Sequence, residues 1–285
     1  PPALQSLLAT YPLHSVTLPG GASQIGLRQA SPAAAAAVTV TVTAAAAPPL
    51  PLVLLHGIGS ASASWLWQLQ HFGRERLVLA WDAPGYGQST PVQPDQPLAS
   101  DYAARVWAWL DALACAQVHL VGHSLGCLMA SAAAQAKPER VKHLWLLAPA
   151  AGYGLADPQV RARKLQERLE KLQTLGPAGM AAQRASAMLS PAASAEQLAW
   201  VEHTMAQVIP AGYTQASQML AGDDLATYLR GLSSPVDVAC GQADRITPAQ
   251  GCAELAARLG LPFHLLGEVG HACPLEAAER VNDLL

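Results

Sequence analysis

The sequence predicts an α/β fold in which a mostly parallel, twisted sheet is covered by helices on both faces and interrupted late by an all-helical insertion. From Leu50 onward, short apolar runs (P-L-V-L-L, L-V-L-A-W, V-H-L-V, H-L-W-L-L-A) alternate with stretches of helical period. Fully apolar strands separated by helices are strands buried on both faces, as a parallel sheet requires. After Gly152 the strand rhythm stops, and it resumes only at P-V-D-V-A-C.

Residues 13 to 43 read as a β-hairpin or meander. Its strands lie near H-S-V-T-L-P and A-V-T-V-T-V-T, joined by Gly-, Ser- and Ala-rich turns, and the Ala runs beside the second strand read as loops. S-W-L-W-Q-L-Q and D-Y-A-A-R-V-W-A-W-L-D-A-L are the helices that follow the first two apolar strands. In the insertion, a first helix from about Asp157 to Leu175 puts Val160, Leu165, Leu169 and Leu172 on one stripe, with its charges elsewhere. Breaks follow at Gly176-Pro177, Ser190-Pro191 and Pro210. The sheet is completed by P-V-D-V-A-C, a helix in T-P-A-Q-G-C-A-E-L-A-A-R-L, the strand P-F-H-L-L and a C-terminal helix. The expected organisation is therefore a core of residues 1–152 and 233–285 with a helical cap of residues 153–232.

A chain of 285 residues can bury a sizeable core, and 51% hydrophobic against 13% charged residues argues against disorder. A net charge of -3 and a pI near 6.3 give no attraction for phosphate backbones or anionic lipid, so neither nucleic acid nor a membrane is an expected partner. The stretch without charge between Arg28 and Arg74 contains Pro48, Pro49 and Pro51 and alternates at strand period, which argues against a membrane span. The N-terminus has no basic region followed by a long apolar one, although a leader could have been removed. Cys115, Cys127, Cys240, Cys252 and Cys273 show no metal-ligand spacing and read as reduced, which suits a cytoplasmic location; a Cys252–Cys273 bridge stays open. No metal and no cofactor is expected.

The strongest chemical signal is V-H-L-V-G-H-S-L-G, residues 118 to 126: a G-x-S-x-G pentapeptide with an apolar strand before it and a small-residue helix after it. Gly122 and Gly126 leave room for a sharp turn that presents the Ser124 hydroxyl, while the helix N-terminus supplies amides beside it. A serine hydroxyl is nearly inert at neutral pH and needs a general base with an orienting partner. Asp244, in G-Q-A-D-R-I-T-P, follows one strand, and His271, in G-E-V-G-H-A-C, follows the next. Catalytic groups belong at the carboxyl ends of parallel strands, and the order Ser, Asp, His suits this fold.

On these motifs, with L-V-L-L-H-G-I-G-S and D-A-P-G-Y-G-Q-S upstream, the chain resembles the α/β-hydrolase superfamily. It is similar to the capped group that includes esterases, enol-lactonases, meta-cleavage C–C hydrolases and cofactor-free haloperoxidases. The resemblance implies Ser124 as nucleophile, His271 as base, Asp244 as the orienting acid, and an oxyanion hole made by the backbone N–H groups of Ile58 and Leu125. It implies hydrolysis of a small, largely apolar ester, thioester or lactone through an acyl-enzyme, without a cofactor. C–C cleavage of a meta-cleavage diketone, perhydrolase chemistry and a noncatalytic small-ligand receptor are the alternatives. Two positions depart from the family pattern: Cys127 stands where a second Gly often follows the pentapeptide, and Ala272 stands where C–C hydrolases usually carry Trp.

Other polar residues read as structural. In the family His56 holds the oxyanion loop, His123 packs behind the elbow, and Asp82 builds a turn; Asp237, Asp223 and Asp224 are weaker candidates for the acid. His119, His143 and His264 are strand histidines, and Cys273 is a buried thiol near the base. Between Asp157 and Ser190 six basic residues (Arg161, Arg163, Lys164, Arg168, Lys171, Arg184) face three acids, an excess read as solvent-facing. Trp65, Trp67, Trp200, Tyr153 and Tyr213 are candidates for an aromatic pocket.

Overall fold

A computed structural model describes residues 4–32 and 49–285. Within them, eight strands form one sheet in the order β1-β2-β4-β3-β5-β6-β7-β8. The strands are β1 (His14–Thr17), β2 (Gln24–Ala30), β3 (Leu52–Leu55), β4 (Val78–Trp81), β5 (Val118–His123), β6 (Val141–Leu147), β7 (Val236–Cys240) and β8 (Phe263–Leu265). β1 pairs antiparallel with β2, and β2 antiparallel with β4; every later pairing is parallel. All residues of β3 and β4 are buried, as the apolar runs L-V-L-L and V-L-A-W require of strands covered on both sides.

The amino-terminal hairpin differs from expectation. Its first strand is β1, but its partner is Q-I-G-L-R-Q-A, while V-T-V-T-V-T lies outside the described residues. Gly26 disguises β2. A side chain there would press on Gln88, so the strand needs a residue with weak strand propensity where the loop after β4 crosses it.

Helices α1 (Leu4–Thr10), α2 (Leu66–Phe72), α3 (Ala99–Ala112), α4 (Gly126–Ala136), α9 (Ala249–Leu259), α10 (Cys273–Glu276) and α11 (Ala278–Leu284) belong to the sheet's layers. α4 is buried from Gly126 to Ala134, because its small residues let it sit close to the sheet beneath α3.

Between β6 and β7 the chain is helical: α5 (Pro158–Arg184), α6 (Ala195–Ala206), α7 (Pro210–Gly222) and α8 (Leu225–Leu229). Asp157 caps α5, accepting the Gln159 N–H at 2.8 Å, with Pro158 in the first turn where its missing donor costs nothing. Gly176 (φ 62°, ψ 177°), followed by Pro177, breaks the helical geometry of α5 where the sequence places the end of its first helix, and a second helical segment runs on to Arg184. Ser194 and Gln197 close a capping box on α6, and α7 starts on Pro210. Asp223, at the end of α7, accepts the Ala99 N–H at 2.6 Å and the Tyr228 hydroxyl at 2.8 Å. It therefore caps α3 and is not an acid for any histidine. Among the described residues no helix is long and apolar enough to cross a membrane.

Candidate active site

The parallel strands end on one edge of the sheet, and strand order reverses around β3, where open α/β sheets form their ligand crevice. β5 runs beside β3 and delivers Ser124 to that crevice. Ser124 has φ 53°, a left-handed conformation that costs a non-glycine residue roughly 1–2 kcal/mol. The turn closes tightly. A Cβ on Gly122 would lie 2.6 Å from the Gly126 carbonyl oxygen, and one on Gly126 would overlap the Leu55 carbonyl. Cys127 fits behind it with its thiol directed to the Gly122 carbonyl at 3.2 Å, and burial pushes that thiol well above its ordinary pKa.

Asp244 sits in the loop after β7 with both carboxylate oxygens occupied. Oδ1 accepts the Ile246 and Thr247 amides at 2.7 and 2.9 Å; Oδ2 accepts the Thr247 hydroxyl at 3.0 Å and His271 Nδ1–H at 2.8 Å. Burial pushes the Asp244 pKa up, but the hydrogen bond and charge of His271 and the two amides outweigh it, leaving the carboxyl below its usual value. With Nδ1–H committed to Asp244, neutral His271 carries its lone pair on Nε2.

The loop carrying His271 is held from several sides. His123 Nε2–H donates to the His271 carbonyl at 2.8 Å, and Ala272 N–H donates to Met188 O at 2.8 Å. Glu276 accepts the Gly270 amide at 2.9 Å and both the amide and hydroxyl of Ser190. His123 thus does more than the packing expected of it. Burial, then the charge of neighbouring His271, push its pKa down to about 3, so it stays a neutral donor. Glu276 was not singled out in the sequence: G-H-A-C-P-L-E places it near His271, but nothing there reveals that α10 turns its carboxylate back onto Gly270.

His56 is spent on backbone: Nδ1–H donates to Gly57 O at 2.8 Å and Nε2 accepts the Ala83 amide at 2.9 Å. Asp82 accepts the Ser62 amide at 2.7 Å and shapes the turn after β4. Both hold the loop of Ile58. Among the described residues, the Ile58 and Leu125 amides have no protein acceptor, and both residues line the cavity that contains Ser124. Asp237 instead contacts His143 and His264 at the far end of β7. All five cysteines are free and buried, so Cys252 and Cys273 are not bridged.

Ser124 and His271 open on a cavity of about 600 Å³. Its farther walls include Tyr153, Arg168, Arg184, Met205 and Tyr213 from the helical segment, together with Ile246 and Leu255. A second, narrow apolar recess beside the same two residues is lined by Trp200, Val201 and Leu275. Trp65 is buried edge-on to His123, and Trp67 packs against Trp200. An imidazole oriented by an ionised carboxylate, a strained hydroxyl and two amides without acceptors, gathered at one cavity, can generate an alkoxide-like nucleophile and stabilise an oxyanion.

The sequence profile described as alpha/beta hydrolase fold matches residues 51–278. The chain belongs to the α/β-hydrolase fold family. Among curated relatives, it is 32% identical over 228 residues to the dihydrolipoyllysine-residue acetyltransferase component of the acetoin cleaving system of Pseudomonas putida, matching 76% of this chain and 57% of that one. The match thus spans little more than half of that relative's length. A 2-hydroxymuconate semialdehyde hydrolase, also of Pseudomonas putida, is 28% identical over 74% of this chain and 75% of its own. Among solved structures, a thermophilic esterase from Thermogutta terrifontis superposes with a TM-score of 0.79 at 21% identity, covering 96% of both chains. This α/β hydrolase therefore shares its fold with an esterase and its sequence with proteins of more than one chemistry.

Proposed function

We propose that this α/β hydrolase cleaves carboxylic esters, thioesters or lactones through an acyl-enzyme on Ser124. One observation carries the reading: Ser124, at a left-handed elbow, opens on the same cavity as His271, whose Nδ1–H is held by Asp244. His271 Nε2 takes the Ser124 proton as Oγ attacks the carbonyl, and the oxyanion forms against the Ile58 and Leu125 amides. The tetrahedral intermediate collapses, and His271 returns the proton to the departing alkoxide or thiolate. Water, deprotonated by the same nitrogen, then releases the acid and restores Ser124. No cofactor takes part.

In this reading residues 153–232 are a cap that excludes water and selects substrate while the core supplies the chemistry. Small-molecule substrates are the partners, with no role for nucleic acid or membrane. A cytoplasmic location is supported by five free, buried thiols. The 2-hydroxymuconate semialdehyde hydrolase relative favours a second reading, C–C cleavage of a diketone by the same residues, against which Ala272 stands.

A panel of p-nitrophenyl esters, lactones and diketones, run beside covalent labelling with an organophosphonate, tests the proposal. Ester or lactone turnover with one label on Ser124 is the expected result. Labelling at another serine overturns it, and turnover of diketones alone moves the function to the second reading.

A further inference from the structure

The basic excess of α5 is expected to face solvent, and half of it does: Arg163, Lys164 and Lys171 are exposed. Arg163 and Lys164 reach Glu167 on the outer face at 3.8 Å each. Arg168 and Arg184 do not. Both are half-buried and line the cavity that holds Ser124 and His271, the kink at Gly176 falling between them.

We propose that Arg168 and Arg184 form a carboxylate-binding subsite, so that the preferred ester or lactone carries a free carboxylate a few bonds from its reacting carbonyl. This rests on the hydrolase reading above and names the substrate class for it. Among the described residues neither arginine has an acidic partner. Within the same residues Arg168 has one side-chain hydrogen bond, to the Tyr213 hydroxyl at 3.4 Å, and Arg184 has none. Burial pushes the Arg184 pKa down, and Arg168 beside it adds a like charge. Two guanidinium groups partly withdrawn from water and unpaired are costly, and a carboxylate removes that cost by accepting charge-assisted, bidentate hydrogen bonds.

The remaining charges of the cavity do not cancel the pair. Among the described residues, Glu254 is the one acidic residue in the wall; it is exposed, holds the Gln250 amide at 2.9 Å, and is matched by exposed Arg258 on the same helix. The interior thus keeps two positive charges. Position sets the reach: the Tyr213 ring lies 3.9 Å from where a Cβ on Gly59 would be, beside the Ile58 amide, and its hydroxyl contacts Arg168. A substrate whose carbonyl oxygen meets Ile58 can therefore extend along the Tyr213 ring toward Arg168.

Monomethyl adipate and methyl hexanoate differ only in the terminal carboxylate and provide the test. The wild-type protein should prefer the charged ester by roughly ten-fold or more in kcat/KM, the scale of a hydrogen-bonded charge. Arg184→Met and Arg168→Met should each remove most of that preference, with Arg184→Lys retaining part of it; stoichiometric phosphonate labelling reports that each variant is folded. Equal rates on the two esters, or arginine variants that slow both alike, overturn the subsite. If neither ester turns over and the ester and lactone panel is also inert, the hydrolase reading fails by itself, and calorimetry with adipate decides the subsite. Binding to wild type that weakens in Arg168→Met supports it, and no binding overturns it.

Discussion

Strand β7 carries an aspartate near each end, and each meets histidine. Past its carboxyl end, Asp244 and His271 have side chains 0% and 1% exposed, the carboxylate is saturated by amides and a hydroxyl, and the imidazole opens on the cavity of Ser124. Near its amino end, Asp237 is shared between His143 and His264, each at 2.6 Å, with His143 and His264 25% and 41% exposed. The His143 ring lies flat on Trp145, 3.9 Å between centroids. Hydrogen bonding from both histidines offsets burial and lowers the Asp237 pKa, as one histidine and the amides do for Asp244. A carboxylate–imidazole contact is therefore common to both ends. Near-complete burial and a cavity shared with the Ser124 hydroxyl distinguish the first.

The sharpest break of this comparison is Ser124→Ala, expected to lower kcat by about six orders of magnitude and to abolish phosphonate labelling in intact-mass spectra. Asp244→Asn should follow, with turnover down about 10⁴-fold in a stopped assay, because the amide no longer stabilises the imidazolium. Asp237→Asn should stay within about two-fold of wild type; equal losses at the two aspartates would erase the distinction drawn here. Glu276→Gln, which weakens the hold on Gly270, should reduce kcat roughly ten- to a hundred-fold through misplacement of His271, with KM much less affected.

The smallest effects concern pH. His123 and His56 have folded pKa values below the unfolded value near 6.5, so the unfolded chain binds more protons as pH falls and stability drops. Each contributes a slope of up to about 1.4 kcal/mol per pH unit below that value, and for His123 the window extends to about pH 3. Urea melts between pH 7 and 5 should show this acid loss, and His123→Gln should flatten it. Asp237 acts lower. Its depressed pKa contributes stability above about pH 4, lost as pH falls further, so Asp237→Asn should flatten the curve only in that lower range.

The parallel core was legible because buried strands write themselves as apolar runs, and the elbow because Gly122 and Gly126 meet backbone too closely for any side chain. Asp244 and His271 were readable from their places after successive strands, and the structure brings them within 2.8 Å. β2 was not, since a glycine under a crossing loop dilutes its alternation. Neither was the inward turn of Arg168 and Arg184: Arg168 sits one turn from Leu165 and Leu172, at the margin of the apolar stripe, and Arg184 lies beyond the Gly176 kink, where the face assigned to the first segment no longer applies. Glu276 and His123 act through backbone carbonyls and amides, which one-dimensional spacing does not reveal.

The cap that Asp223 places on α3 joins groups 124 residues apart. During synthesis α3 and α4 emerge long before it, so the Ala99 amide has no Asp223 carboxylate to accept it until residue 223 has left the ribosome. Assembly of the amino-terminal half is thereby tied to a late event, in an order imposed by chain position. Asp223→Ala should leave the Ala99 amide exchanging rapidly with deuterium. Unchanged protection at Ala99 would show that α3 finishes without waiting.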